Sequence, residues 1–283
     1  SYGLFGFEKL KNPISNSLFI YSLCQLSFYI ISILLIILFV FKTPNQTLNK
    51  DAEILSSLSA YIIRSAFWAV FIIGLIDLLI SFLATEKLLS VIFNEQMHLN
   101  LISPPFRIKF IHLPLIFLSM ILGYFTRTTG FIWLAILVVF AEFTIVITRF
   151  IFSYEQAFMG DLVRFWYGAL FLFASAHALI HEGHVRVDVL YTNFSDKVKA
   201  WSNTIGSFFL GIPLCLTIIF LGMSSKASII NSPLLSFEVT QQGSSGLYVK
   251  YLMAAFLAIF ALSMLTQFTS YFMKNSFKII SNS

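Results

Sequence analysis

The fifteen residues HALIHEGHVRVDVLY, His177 to Tyr191, hold three histidines and two acids in an otherwise oily chain. His177 and His181 are four apart, so on a helix they share one face, as two metal ligands must. Glu182 and His184 would add donors. The order HEGH is nevertheless not the H-E-x-x-H of a helical zinc site, and Gly183 is placed to end the helix. His184 then sits on a different backbone geometry, with no cysteine near and no obvious carboxylate to act as base. Neither a metal centre nor any cofactor is expected. A haem would need a second histidine at matching depth on another span, and His112 is the candidate. A haem-binding membrane anchor of a redox enzyme is therefore the alternative to carry forward.

The elements that must hold these residues are membrane helices. Of 283 residues, 58% are hydrophobic and 11% charged, with a mean hydropathy of +0.86. A water-soluble globule is nearer half apolar and a quarter charged, so this chain lacks the polar surface to cover one. The 33 phenylalanines suit lipid-facing and inter-helix surface. A net charge of +5 comes without the dense basic runs that nucleic acid would need, and no nucleic acid is expected as a partner. Cys24 and Cys215 both lie in apolar stretches and read as buried free thiols.

A span needs about 20 apolar residues to cross about 30 Å of hydrocarbon. Seven stretches meet or approach this: 18–41, 61–83, 110–126, 130–151, 162–181, 201–224 and 250–272. They are continuously apolar rather than alternating, so the predicted fold is an all-α integral membrane protein of about seven helices, not a barrel. The stretch 110–126 is the weakest, with Pro114 and Gly123 inside it. The first sixteen residues lack the order of a secretory signal, and 18–41 reads as a true span. Residues 42–60 read as a polar connector. Within 85–109 an amphipathic middle, EKLLSVIFNEQMHL, is expected to lie on the membrane surface and to stop at Pro104-Pro105.

Lys and Arg collect in cytoplasmic loops. Arg186, Lys197 and Lys199 in the 182–200 loop and Lys274 and Lys278 in the tail share one side. The opposite side has none in 152–161 and one, Lys226, in the last connector. The 182–200 loop and the C-terminus are therefore expected in the cytoplasm. The first third fits less well. Three full spans would put Lys9, Lys11, Lys87, Arg107 and Lys109 outside, and an incomplete 110–126 would reverse that count. The side of the N-terminus stays open.

Ionisable groups at membrane depth are costly, and each is a candidate site. Glu142 lies near the middle of its span. Arg149 lies about 10 Å further along nearly the same face. Glu142 reads either as a carboxylate in an ion path or as one fixing helix packing. With no second acid at compatible depth, packing is preferred. Asp77 and Arg64 read as structural, Arg64 by snorkelling to the interface.

Three segments carry a family resemblance: LVVFAEFTIVITRFIF, FLFASAHALIHEGHVRVDVLY and GLYVKYLMAAFLAIF. They resemble the small membrane subunit of tripartite ATP-independent periplasmic (TRAP) transporters, the DctQ-like family, over residues 130–273. The strongest element is GHVRVDVLY. The residues carrying the motif are Gly183, His184, Val185, Arg186, Val187 and Asp188, at the start of a cytoplasmic connector. Arg149 and GLYVKY support it. The resemblance implies a four-helix, non-enzymatic small permease in the bacterial inner membrane. Its implied partners are a large permease subunit, which holds the substrate and sodium sites, and a periplasmic solute-binding protein, besides membrane lipid. The implied role is to scaffold the large subunit during sodium-coupled uptake of a small organic anion such as a carboxylate.

The sequence departs from the family in three places. Residues 1–129 add about three helices to a domain expected at 130–283. His177 stands where many members have Tyr, and Tyr248 stands where Pro often follows Gly-Leu. Glu142, Arg149 and Arg164 are the expected polar contacts within the bundle or to the large subunit, with Asp77 and His177 as further candidates.

Overall fold

The computed structural model describes residues 16–127, 131–180, 191, 193–239 and 246–281. Its helices are α1 (Asn16–Lys42), α2 (Leu48–Thr85), α3 (Leu89–Ile92), α4 (Glu95–Ile102), α5 (Pro104–Phe125), α6 (Phe131–Phe152), α7 (Ala157–Ile180), α8 (Asp196–Gly222), α9 (Asn231–Ser236) and α10 (Lys250–Ser281). Among the described residues, six helices are long and apolar enough to cross a membrane. These are α2, α5, α6, α7, α8 and α10, with a shorter apolar run in α1. The chain is an all-α multi-pass membrane protein, as predicted.

Two expected connectors turn out to be helix. The polar stretch 48–60 is the first third of α2, because Thr47 caps its start and Asp51 sits in the first turn, where the helix dipole favours an acid. The turn before it shrinks to 43–47. The short third span gains a turn and a half at its start. One helix does stop at Ile102, but Pro104 and Pro105 occupy the first turn of the next, where a missing N–H costs nothing. Continuous helix from Pro104 to Phe125 gives 22 residues, about 33 Å and enough to cross.

Both α5 and α8 contain a widened π-helical turn, Ile108–His112 and Ser207–Gly211. Each lies just before a proline, Pro114 or Pro213. A mid-helix proline lacks the N–H and crowds the carbonyl four residues back, and a π turn relieves that crowding. The spans therefore continue through prolines that would otherwise break them.

Helix α2 is the central strut. It runs antiparallel to α10, which it contacts most extensively, and also packs on α5 and α7. In lipid, close packing and a few polar contacts hold helices together, so small residues gather at interfaces. The hydroxyl of Ser59 donates to the Ser263 carbonyl (2.9 Å) and that of Ser270 to the Ala52 carbonyl (2.6 Å), tying the α2–α10 seam along its length. The core is continuous across the segments before and after residue 130. Ile63, Phe67, Val70 and Ile73 of α2 join Phe165, Trp166, Phe256 and Met264. Helix α6 is peripheral, packing mainly on α7.

Gly123 sits where α5 comes close to the backbone of α2. A Cβ there would lie 2.9 Å from the Ser65 Cα and backbone nitrogen, atoms that cannot rotate away. Gly123→Ala is expected to destabilise the purified protein by about 1–3 kcal/mol through overpacking. Gly160→Ala is the control, because nothing lies within 4 Å of its added carbon. Thermal unfolding in detergent distinguishes them, and equal midpoints would contradict the packing described.

Candidate functional site

A network of buried polar groups lies at the end of the bundle where α2 finishes and α5, α7 and α10 begin. Asp77, eight residues before the end of α2, is wholly buried. Its Oδ1 accepts from Arg107 Nη1 (2.9 Å) and from His112 Nε2 (3.1 Å), and its Oδ2 accepts from the Tyr248 N–H (2.6 Å). A carboxylate taking three donors is ionised, so His112 Nε2 must carry its proton. His112 Nδ1 then accepts from the Tyr251 hydroxyl at 2.8 Å.

Arg107 is also buried. Its Nε donates to the Leu101 carbonyl (2.9 Å), its Nη1 also to the Ser81 hydroxyl (3.2 Å), and its guanidinium lies 3.9 Å over the Tyr248 ring. The Tyr248 hydroxyl closes the circuit on the Ile102 carbonyl at 3.0 Å. Two buried charges are tolerable here because nearly every donor and acceptor is matched.

The next amide along does the same with another helix. The Leu247 N–H donates to Asp161 Oδ2 of α7 at 3.1 Å. The residues leading into α10 therefore present two successive amides to two carboxylates, one from α2 and one from α7. A helix N-terminus carries unsatisfied N–H groups and a positive dipole end, so this arrangement is favourable. A further tie links the turn before α7 to the residue after α2: the Tyr154 hydroxyl donates to Glu86 at 2.6 Å. Partial burial, with Glu86 beside it, pushes the Tyr154 hydroxyl up to about 12. Chemically the network binds helices, and on its outer side Ser81, Arg107 and Tyr248 line a cavity of about 340 Å³ together with His98.

Of the predicted polar contacts, Asp77 is the one at the heart of this network. Arg164 pairs with Asp161 at 3.4 Å on its own helix. Arg149 does not meet Glu142; it turns to Glu155 at 3.3 Å, both side chains exposed. Arg64, partly exposed, donates to the Gly123 carbonyl at 3.1 Å, near the end of α5. The motif residues Gly183, His184, Val185, Arg186, Val187 and Asp188 lie outside the described residues, as do His181 and Glu182.

The haem alternative loses its second ligand. Both ring nitrogens of His112 are engaged inside the protein. His112 also lies eight residues into α5 and His177 twenty residues into α7, helices that start at the same end, so their depths differ by about 18 Å.

Sequence reasoning placed Arg107 in a loop and considered His112 only for haem. With spans read as 61–83 and 110–126, Asp77 stands six residues before one end and His112 two after the next start. Only the structural ends at Thr85 and Pro104 put each eight residues in, level in an antiparallel pair.

Glu142 behaves differently from all of these. It sits midway along α6 on a surface that is exposed among Ile136, Val139, Phe140, Phe143 and Val146. Among the described residues no side chain pairs with it.

Residues 135–274 match the family model described as tripartite ATP-independent periplasmic transporters, DctQ component. No curated protein and no solved structure matches the chain.

Proposed function

We propose that this chain, which belongs to the DctQ component family of tripartite ATP-independent periplasmic transporters and is a multi-pass small permease subunit, acts as the fixed scaffold of its transporter. In this reading α6 docks against the large permease subunit. The large subunit takes up a small organic anion, a carboxylate, with sodium, and a periplasmic solute-binding protein delivers it. The 182–200 loop and the C-terminus face the cytoplasm, and the Asp77 network faces the periplasmic side. Residues 1–129 form an extension that thickens the four-helix domain at 130–283.

The observation that carries the reading is Glu142. A carboxylate at mid-bilayer depth is expensive in lipid and needs a hydrogen-bonding or cationic partner. Among the described residues this protein supplies none, and the side chains exposed around it on α6, Ile136, Val139, Phe140, Phe143 and Val146, are all apolar. A partner helix with a donor at that depth satisfies both facts. The rest of α2, α7 and α10 is tied together by buried hydrogen bonds, which makes the bundle a stiff body for a moving subunit to work against.

Interhelical polar contacts in membranes are worth on average about 0.6 and at most about 1.7 kcal/mol. Glu142→Ala is therefore expected to cut co-purification of the large permease by a factor between about three and about twenty. Glu142 is exposed, so the thermal stability of the isolated chain should not fall. Unchanged recovery of the large subunit in Glu142→Ala membranes would refute α6 as the docking helix.

A further inference from the structure

At the end of the bundle opposite the Asp77 network, α8 and α10 part around a polar groove of about 530 Å³. Its walls include Tyr191, Asp196, Lys199, Asn203, Lys274 and Lys278. Lys274 and Lys278 are one turn apart on α10, and Lys199 stands on the first turn of α8. Among the described residues none of the three lysines is ion-paired; Lys199 has as its contact the Tyr191 ring, 5.7 Å from its Nζ. Asp196 is the one acid on the wall among the described residues, so the described lining carries a surplus of positive charge.

The floor is built rather than incidental. Asn275, 4% exposed, donates to the Tyr271 carbonyl at 2.7 Å, and Asn203 donates to the Tyr191 hydroxyl at 2.9 Å. Asn203 also reaches the Asn275 side-chain oxygen at 3.4 Å, which locks the two helices at a set spacing beneath the lysines.

Its depth is marked by the side chains outside it. Phe194 just before α8, and Val198 and Trp201 on its first turns, are exposed, and the continuously lipid-facing run Phe208, Phe209 and Leu210 starts about two turns later. An exposed tryptophan at the start of an apolar helix belongs at headgroup level. The groove therefore opens where phospholipid phosphates lie.

We propose that this groove is a binding site for an anionic phospholipid, whose phosphate sits among Lys199, Lys274 and Lys278 while its acyl chains remain in the bilayer. Basic pockets between membrane helices take such headgroups. Lysines spread on a membrane face merely by the topology rule would show no such selectivity. The proposal does not depend on α6 as the docking face or on which side of the membrane the groove faces.

Native mass spectrometry of the full chain in neutral detergent tests it, with cardiolipin, phosphatidylglycerol and phosphatidylcholine added in turn. An anionic-lipid adduct is expected to survive and the phosphatidylcholine adduct to dissociate. Lys199→Gln, Lys274→Gln and Lys278→Gln should each lower adduct retention about fivefold, the worth of one lysine at an anionic surface. Lys→Arg at the same positions should retain it, and Lys42→Gln with Lys50→Gln should change nothing. The single variants keep the test valid if a triple variant fails to fold. Equal retention of phosphatidylcholine, or unchanged retention in all three Gln variants, would overturn the site. Displacement of the lipid by millimolar inorganic phosphate would overturn the lipid assignment in favour of a free-phosphate site.

Discussion

Asp77→Ala is expected to lower the unfolding free energy of the purified protein by about 3–5 kcal/mol, the cost of stranding a buried charge. Arg107 is 1% exposed, and without Asp77 its guanidinium keeps only Leu101, Ser81 and the Tyr248 ring. The Tyr248 amide and His112 Nε2 lose their acceptor in the same step. Denaturant or thermal unfolding in detergent reads the loss. The double replacement Asp77→Leu with Arg107→Met should recover much of it, because exchanging a buried pair for apolar groups of similar volume is often neutral or stabilising. A loss below about 1 kcal/mol for Asp77→Ala would mean that the pair is solvated and that the network does not hold the helices. That threshold is the value of an exposed pair.

Tyr248→Pro should be nearly as damaging, at about 3–5 kcal/mol, while Tyr248→Phe should cost only about 1 kcal/mol. Proline removes the 2.6 Å amide bond to Asp77, a charge-assisted contact worth about 1.5–3 kcal/mol. It also removes the ring beneath Arg107, worth up to about 2 kcal/mol when desolvated. Phenylalanine keeps both and gives up the hydroxyl bond to Ile102. Melting temperatures of the two variants, with protease cleavage of the 86–103 segment as a second readout, distinguish the contributions. Similar behaviour of Pro and Phe variants would show that the amide is dispensable.

This position also explains a departure from the family pattern. The resemblance leads to an expectation of proline after Gly-Leu, yet this chain has Tyr248 there. A proline has no N–H to offer, and Asp77 of α2 needs one. The unusual tyrosine and the helix preceding the matched segment are physically coupled through that single bond.

The sequence by itself determined the membrane class, the all-α fold, and the existence and rough position of every span. These are properties of long apolar runs: a backbone in hydrocarbon must satisfy its own hydrogen bonds, so twenty apolar residues leave little choice but helix. It also singled out Glu142, because an acid in the middle of such a run is anomalous wherever the helix packs. The motif from Gly183 to Asp188 likewise pointed to the family that the match over 135–274 bears out.

What the sequence did not reveal was who meets whom. Arg149 seemed aligned with Glu142 on one helix and instead reaches Glu155. Arg107 seemed a loop charge and is among the most deeply buried side chains of the described protein. His112 suggested a ligand and is a hydrogen-bonding bridge. For Arg107 and His112 the partners lie on other helices, up to 139 residues away for the His112–Tyr251 bond, while Arg149 turns to the loop just beyond its own helix. Periodicity describes one helix at a time. Only the tertiary structure sets the depth and rotation of α2, α5, α7 and α10 against each other, and a polar group in the membrane acquires its role from the atom that those two quantities place opposite it.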